Sequence, residues 1–365
     1  MKLFQRLLVA PAALGLLTPI SANANEVNLN EISNYSDVES IKFANFFNTD
    51  ALAESSLIAG GEGLVDTPVD TSADSFSSTT TASFGSTFYV GTVDQGADDG
   101  VTTFTYDFGM GLSTSFTGED SLDVAIIGGN ADATAVDTVM GGDGTDDDML
   151  VLDGISYTFP IGGFTVIAGD GVGVDDLNTG ACAYSAFTDT ISDCGTSSVG
   201  GAADSAVAVA YDFGNGFTAA GGIGFATEDT GILSDEDAST IGLEAAYTAD
   251  TYGVSVAYTD DEATTYWSVQ AMLAPEGYPS LSVGYETDDD DADAIFAGLT
   301  FAEVGPGSVS LGMASTDLSS DDYYQYELAY SYPLNDGMTI TPGVFIKETS
   351  GDDETGVVVT TSFSF

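Results

Sequence analysis

The sequence predicts an all-β protein, a transmembrane antiparallel β-barrel of about 16 strands. Three observations carry this. Apolar residues recur at every second position through most of the chain, which is the mark of strands. The connectors between these runs alternate between short turns and longer acidic loops. The faces opposite the apolar ones are made of Ser, Thr, Gly, Ala and a few carboxylates, the reverse of a water-soluble barrel.

Residues 1–24 precede the fold. "MKLFQR" is basic, "LLVAPAALGLLTPI" is apolar, and Ala22-Asn23-Ala24 supplies the small residues of a cleavage site, so the segment reads as a secretory signal peptide. It carries Pro11 and Pro19 and falls short of the about 20 apolar residues that a membrane helix needs. Residues 25–75 are expected to form a mostly irregular periplasmic leader, with one short helix around Ser40–Phe47.

The barrel is expected over residues 76–365. Alternating runs fall at 82–93, 101–114, 121–128, 149–159, 163–169, 205–213, 216–226 and 239–249. They continue at 252–259, 264–273, 280–287, 294–302, 308–315, 323–332, 338–348 and 356–365. "TFTYDFGMGLST" puts Phe104, Tyr106, Phe108, Met110 and Leu112 on one face against Thr105, Asp107, Gly109, Gly111 and Ser113. "YYQYELAYSY" repeats the scheme, with Tyr324, Tyr326, Leu328, Tyr330 and Tyr332 opposite Gln325, Glu327, Ala329 and Ser331. Asp153 does not fit the alternation and is expected at a bulge. Phe159, Phe213, Phe217, Tyr247, Tyr252 and Tyr332 lie near strand ends, as interfacial aromatic girdles require.

Every second connector is turn-like ("TGED", "PIGG", "GNG", "AD"), and most of the 58 carboxylates fall in the others. Short periplasmic turns at one rim and long solvated loops at the other account for that asymmetry. Beyond residue 24 the only basic residues are Lys42 and Lys347, which excludes nucleic-acid binding through clustered Lys and Arg. The chain has no His, so His triads, His general bases and His metal ligands are excluded. No catalytic, cofactor or metal site is expected, and no enzyme. "GGDGTDDDM" (141–149) approximates a Ca²⁺-binding nonapeptide but occurs once and is taken as a loop, and "DDDDADA" is an unspecific acidic run.

Several strings resemble cyanobacterial outer-membrane porins, the family that includes iron-uptake and carbohydrate-selective porins. They are the signal "MKLFQRLLVAPAALGLLTPISANA", the opening "FSSTTTASFGSTFYVGTVD" with "TYDFGMGLSTSFTGED", and the closing "YPLNDGMTITPGVFIKETSGDDETGVVVTTSFSF". The resemblance implies a trimeric, water-filled channel in the cell outer membrane for passive diffusion of ions and small solutes. It also implies a C-terminal signal for the outer-membrane assembly machinery, here Val357, Val359, Phe363 and Phe365. Members often carry an S-layer-homology domain before the barrel. Residues 25–75 are too short for one, and Trp267 is the only Trp in the chain.

The longest connector, roughly 170–204, holds Cys182 and Cys194, an even pair in an exported chain and so expected as a disulfide. In porins the third loop commonly folds inward. Either this connector narrows the channel, or it stays outside as a stapled loop. By parity Asp107, Asp123, Asp212, Glu244, Glu286 and Glu327 point into the lumen, and Lys347 lies near the outer rim. A lumen lined by carboxylates concentrates cations, so inorganic cations are the expected solutes and outer-membrane lipid the surroundings. The alternative is a secreted acidic β-protein, Ca²⁺-binding or adhesive.

Overall fold

The computed structural model describes residues 79–365 except 95–99, 132–133, 143, 146–148, 196–204, 226–238, 262, 290–291, 318–321 and 352. The signal peptide, the leader and parts of the "GGDGTDDDM" and "DDDDADA" runs lie outside the described residues.

Alternation becomes a closed sheet. The first eight strands are β1 (Thr80–Asp94), β2 (Thr103–Thr114), β3 (Ser121–Gly129), β4 (Val151–Ile161), β5 (Phe164–Asp170), β6 (Ser205–Gly214), β7 (Phe217–Phe225) and β8 (Ser239–Ala249). The rest are β9 (Tyr252–Asp260), β10 (Thr265–Leu273), β11 (Ser280–Asp288), β12 (Asp293–Val304), β13 (Gly307–Asp317), β14 (Asp322–Asn335), β15 (Met338–Lys347) and β16 (Glu354–Ser364). Each pairs antiparallel with its neighbours in sequence, and β1 closes onto β16 through pairs such as Val90 with Val359 and Gly91 with Val358. Closure leaves no sheet edge to template aggregation. The helix α1 (Ala135–Met140), between β3 and β4, and a 3₁₀ turn (Asp189–Gly195), between β5 and β6, interrupt this pattern.

The barrel is inside-out. Outward Leu243 and Val254 are 54 % and 43 % exposed, whereas inward Ala246 and Ser255 are 5 % and 4 % exposed. At the rim of short turns the outer aromatics form a belt. Phe164 packs on Tyr211 and Tyr211 on Phe213, each with ring centroids 4.8 Å apart, and Phe217 packs on Tyr247 at 4.7 Å. Asp153 is an extra residue: Ala125 pairs with Gly154 while Ile126 pairs with Leu152, so β4 bulges there.

The β2–β3 turn shows how a carboxylate builds a tight connection. Asp120 accepts from the Ser115 and Thr117 hydroxyls (both 2.8 Å), from the backbone N–H groups of Phe116 (2.9 Å) and Thr117 (2.8 Å), and from the Tyr157 hydroxyl (2.6 Å). These bonds, the Tyr157 hydroxyl foremost, hold its carboxyl well below the usual carboxylate range. A depressed carboxyl stabilises the fold fully above its unfolded pKa, about 3.9, and loses that contribution as pH falls through the folded value. Asp120→Ala should therefore lower the unfolding temperature by several degrees at pH 7, and the gap from wild type should close only in strong acid. Thermal unfolding followed by circular dichroism at both pH values checks this.

Candidate inner connector and lumen wall

Strand parity delivers a row of acceptors to the inner wall, and the β5–β6 connector lies along them. The Glu244 carboxylate (β8) accepts from the backbone N–H groups of Thr179 (2.6 Å) and Gly180 (2.8 Å). Gln270 Oε1 (β10) accepts from Ala181 N–H at 3.0 Å, and Ser282 Oγ (β11) from Ala183 N–H at 2.8 Å. Glu327 (β14) is the strongest hold. Its Oε1 accepts from the Tyr184 hydroxyl (2.7 Å) and Phe187 N–H (2.8 Å), and its Oε2 from Thr188 N–H (2.8 Å) and the Thr188 hydroxyl (2.5 Å). Glu244 sits in the interior of an 11-residue strand and Glu327 of a 14-residue one, so both lie well inside the barrel. Backbone donors that leave regular structure must find acceptors when buried, and here the wall provides them.

Apolar contacts complete the seat. Ile191, Cys194, Phe296 and Ala314 form one buried cluster, with Tyr184 packed against it and its ring centroid 5.2 Å from that of Phe296. Val172, Val174 and Ala206 form another. Cys182 and Cys194 are bridged, with Cα atoms 6.1 Å apart. The wall is thinned to receive the connector. A methyl built at Gly284 would sit 1.9 Å from the Cys194 carbonyl oxygen, and one at Gly343 2.4 Å from the Phe187 ring. Burial, and then the neighbouring Glu327 carboxylate, push the Tyr184 phenol well above its ordinary pKa, so it remains a donor.

The residues picked from sequence as lumen-facing thus have different surroundings. Glu244 and Glu327 face the connector and are 6 % and 3 % exposed. Glu286 is buried as well. Asp107 accepts from Thr87 N–H (2.9 Å) and from the Tyr89 hydroxyl (2.5 Å). Asp212 is exposed beside the β6–β7 turn, accepting from Gly214 N–H at 2.7 Å. Lys347 ends β15 with its Nζ 4.0 Å from Glu354 Oε2. Asp123, which accepts from Ser121 Oγ at 2.6 Å, borders a recess of about 260 Å³ on the β1–β5 side together with Asp153 and Asp170. Among the described residues no three Cys, Asp or Glu side chains come together as a metal-binding group.

Parity did not single out Gln270, Ser282 or the inward glycines as parts of the seat. Their signal was present: large apolar side chains at inward positions, such as Phe296 and Phe345, stand beside Gly298 and Gly343 in an otherwise small and polar lining.

No protein-family model matches the chain, and no curated protein sequence does. Solved structures do match. OprB of Pseudomonas putida at high pH superposes with a TM-score of 0.58 at 14 % identity, over 79 % of this chain and 94 % of that one. A mutant Rh. blastica porin gives 0.56 at 16 % identity, over 78 % of this chain and all (100 %) of the other. An anion-selective porin from Comamonas acidovorans gives 0.59 at 15 % identity, again over 78 % and 100 %. The shared feature is the fold, a closed 16-strand antiparallel barrel.

Proposed function

We propose that this chain is an outer-membrane channel of the porin kind, passing inorganic cations and other small solutes by passive diffusion. The observation that carries this reading is a connector laid along the inner wall, well inside an inside-out barrel. The apolar exterior suits lipid, and a 16-strand lumen is too wide for side chains alone to fill. A secreted adhesive or Ca²⁺-binding β-protein has no use for an outer wall studded with Leu, Val and aromatic side chains.

The sign of selectivity follows from charge. With Glu244 and Glu327 bonded to the connector, Asp123, Asp153 and Asp170 border an acidic recess beside the passage. Beyond residue 24 the sequence contains no Arg to oppose them. Charges lining a passage about a Debye length across, roughly 8 Å at physiological salt, dominate its ion content. The Comamonas porin is anion-selective, so the fold does not set the sign; the lining does. Assembly as a homotrimer, and recognition of Val357, Val359, Phe363 and Phe365 by the assembly machinery, belong to the same reading. In a planar bilayer under a tenfold KCl gradient the reversal potential should favour K⁺, and it should move toward zero when Asp123, Asp153 and Asp170 are all changed to Asn. A wild-type channel with no preference, or with anion preference, overturns the cation assignment.

A further inference from the structure

A water-filled lumen has no reason to carry a dry core, yet one lies on the inner wall where the barrel closes. Tyr89 and Val93 of β1, Ala329 of β14, Phe345 of β15 and Val358 of β16 are all buried in one cluster on four adjacent strands. What covers them comes from two connectors. Ala131, Val136 and Val139, with Ala135 and Met140 beside them, come from the β3–β4 connector and its helix α1, and Phe187 comes from the β5–β6 connector. Val136 and Val139 are each 1 % exposed, so α1 is packed as a core element and does not project into solvent.

The helix is also fixed by polar bonds. Thr134 caps it with a capping box: its hydroxyl accepts from Asp137 N–H at 3.3 Å, and Asp137 Oδ2 accepts from the Thr134 N–H (3.0 Å) and hydroxyl (2.7 Å). Asp137 Oδ1 accepts from the hydroxyl of Thr105, an inward residue of β2. Gly141, at φ 63°, ends the helix in the left-handed conformation, where its N–H returns to the Asp137 carbonyl. Six residues are too few to hold a helix in water; the wall holds this one.

We infer that α1 and the Phe187 end of the β5–β6 connector form a single wedge against β14–β16 and β1, and that this wedge, in addition to the connector itself, sets the size limit of the passage. This rests on the channel reading. A helix with its side chains is about 10–12 Å across, so it takes up a part of the 16-strand lumen that water would otherwise fill. Solutes are thereby confined to the part of the lumen that the two connectors leave open, beside the acidic recess of β3–β5. Val136 and Val139 are the size-determining side chains because they anchor the helix to the wall.

The test uses the full chain with Val136→Asp and Val139→Asp together, and Val139→Ala as a milder variant, each first shown to form a heat-modifiable barrel. Single-channel conductance in KCl should rise by roughly twofold in the double variant, in line with the cross-section a helix occupies. The smallest polyethylene glycol that fails to enter should become larger. Independently, proteinase K should cleave the β3–β4 connector of the double variant while the wild type stays protected. Unchanged conductance and polymer cut-off in a folded double variant overturn the wedge. If the double variant does not fold, Val139→Ala must show the same changes in smaller measure, and its failure to do so overturns the wedge equally. A wild-type barrel that does not conduct defeats the channel reading, whereas equal protection of wild type and variants defeats the wedge on its own.

Discussion

Replacing Glu327 by Ala should raise single-channel conductance by roughly twofold and make the open level noisy, with little change in the amount of folded barrel. The argument starts from the four hydrogen bonds that end on this carboxylate, from the Tyr184 hydroxyl, the Phe187 and Thr188 amides and the Thr188 hydroxyl. Removing the acceptor leaves buried donors without a partner at about 1–3 kcal/mol each. The connector avoids that cost by lifting into water, where every donor is satisfied. The apolar contacts of Ile191 with Phe296 and Ala314 oppose the release, as does the Cys182–Cys194 bridge, so detachment should be partial and fluctuating. The strand ladder does not depend on the Glu327 side chain, so the barrel itself should persist. Glu327→Gln supplies one carbonyl oxygen in place of two carboxylate oxygens and should fall between wild type and Ala. Equal conductance and equal current noise in wild type and Glu327→Ala would show that the connector is held without this carboxylate, by its apolar contacts and its bonds to Glu244, Gln270 and Ser282.

The barrel was legible because alternation is a local property. A period of two is written in each strand without reference to any other, and it placed all the strands within a few residues. Asp153 was legible as well, since a bulge breaks the alternation in sequence before it breaks the register in space. Parity tells where a side chain points but not what meets it there. Whether the β5–β6 connector entered the lumen or stood outside depended on contacts between residues far apart in the chain, such as Thr179 with Glu244 and Tyr184 with Glu327. The helix α1 was hidden for a related reason: one turn and a half carries too little periodicity to register, and the Thr134–Asp137 box departs from the usual Glu or Gln at its third position. The residues that gave these contacts away were the exceptions to the rule of small inward side chains. Phe296, Phe345, Tyr89 and Val358 are inward and large because something other than water covers them.

Deleting Phe365 should lower the yield of folded, heat-modifiable barrel several-fold, while the channels that do form conduct as wild type does. The seam between the first and last strands is the one pairing made between residues at opposite ends of the barrel sequence, and it must form last or be held open until it does. Phe365 ends that seam. Its N–H donates to the Phe84 carbonyl at 3.0 Å and its carbonyl accepts from the Phe84 N–H at 2.9 Å, a reciprocal pair. Its ring stacks on that of Phe84 with centroids 5.7 Å apart, and one pair further in Phe363 meets Phe88 edge-on at the same distance, 5.7 Å. Without Phe365 the Phe84 backbone loses both of these partners at the rim. Phe365→Ala retains the reciprocal backbone pair and loses only the stacking, so it should assemble better than the deletion and worse than wild type. The passage is set by the two connectors, which meet the seam strands at Tyr89, Val93 and Val358 and not at the Phe84–Phe365 rim, which is why conductance should not follow yield. The two predictions are therefore orthogonal: loss of the Glu327 carboxylate should change current at constant yield, and loss of Phe365 should change yield at constant current. Normal recovery of the deletion variant would show that the remaining seam, from Gly85 with Ser364 to Asp94 with Thr355, closes the barrel unaided.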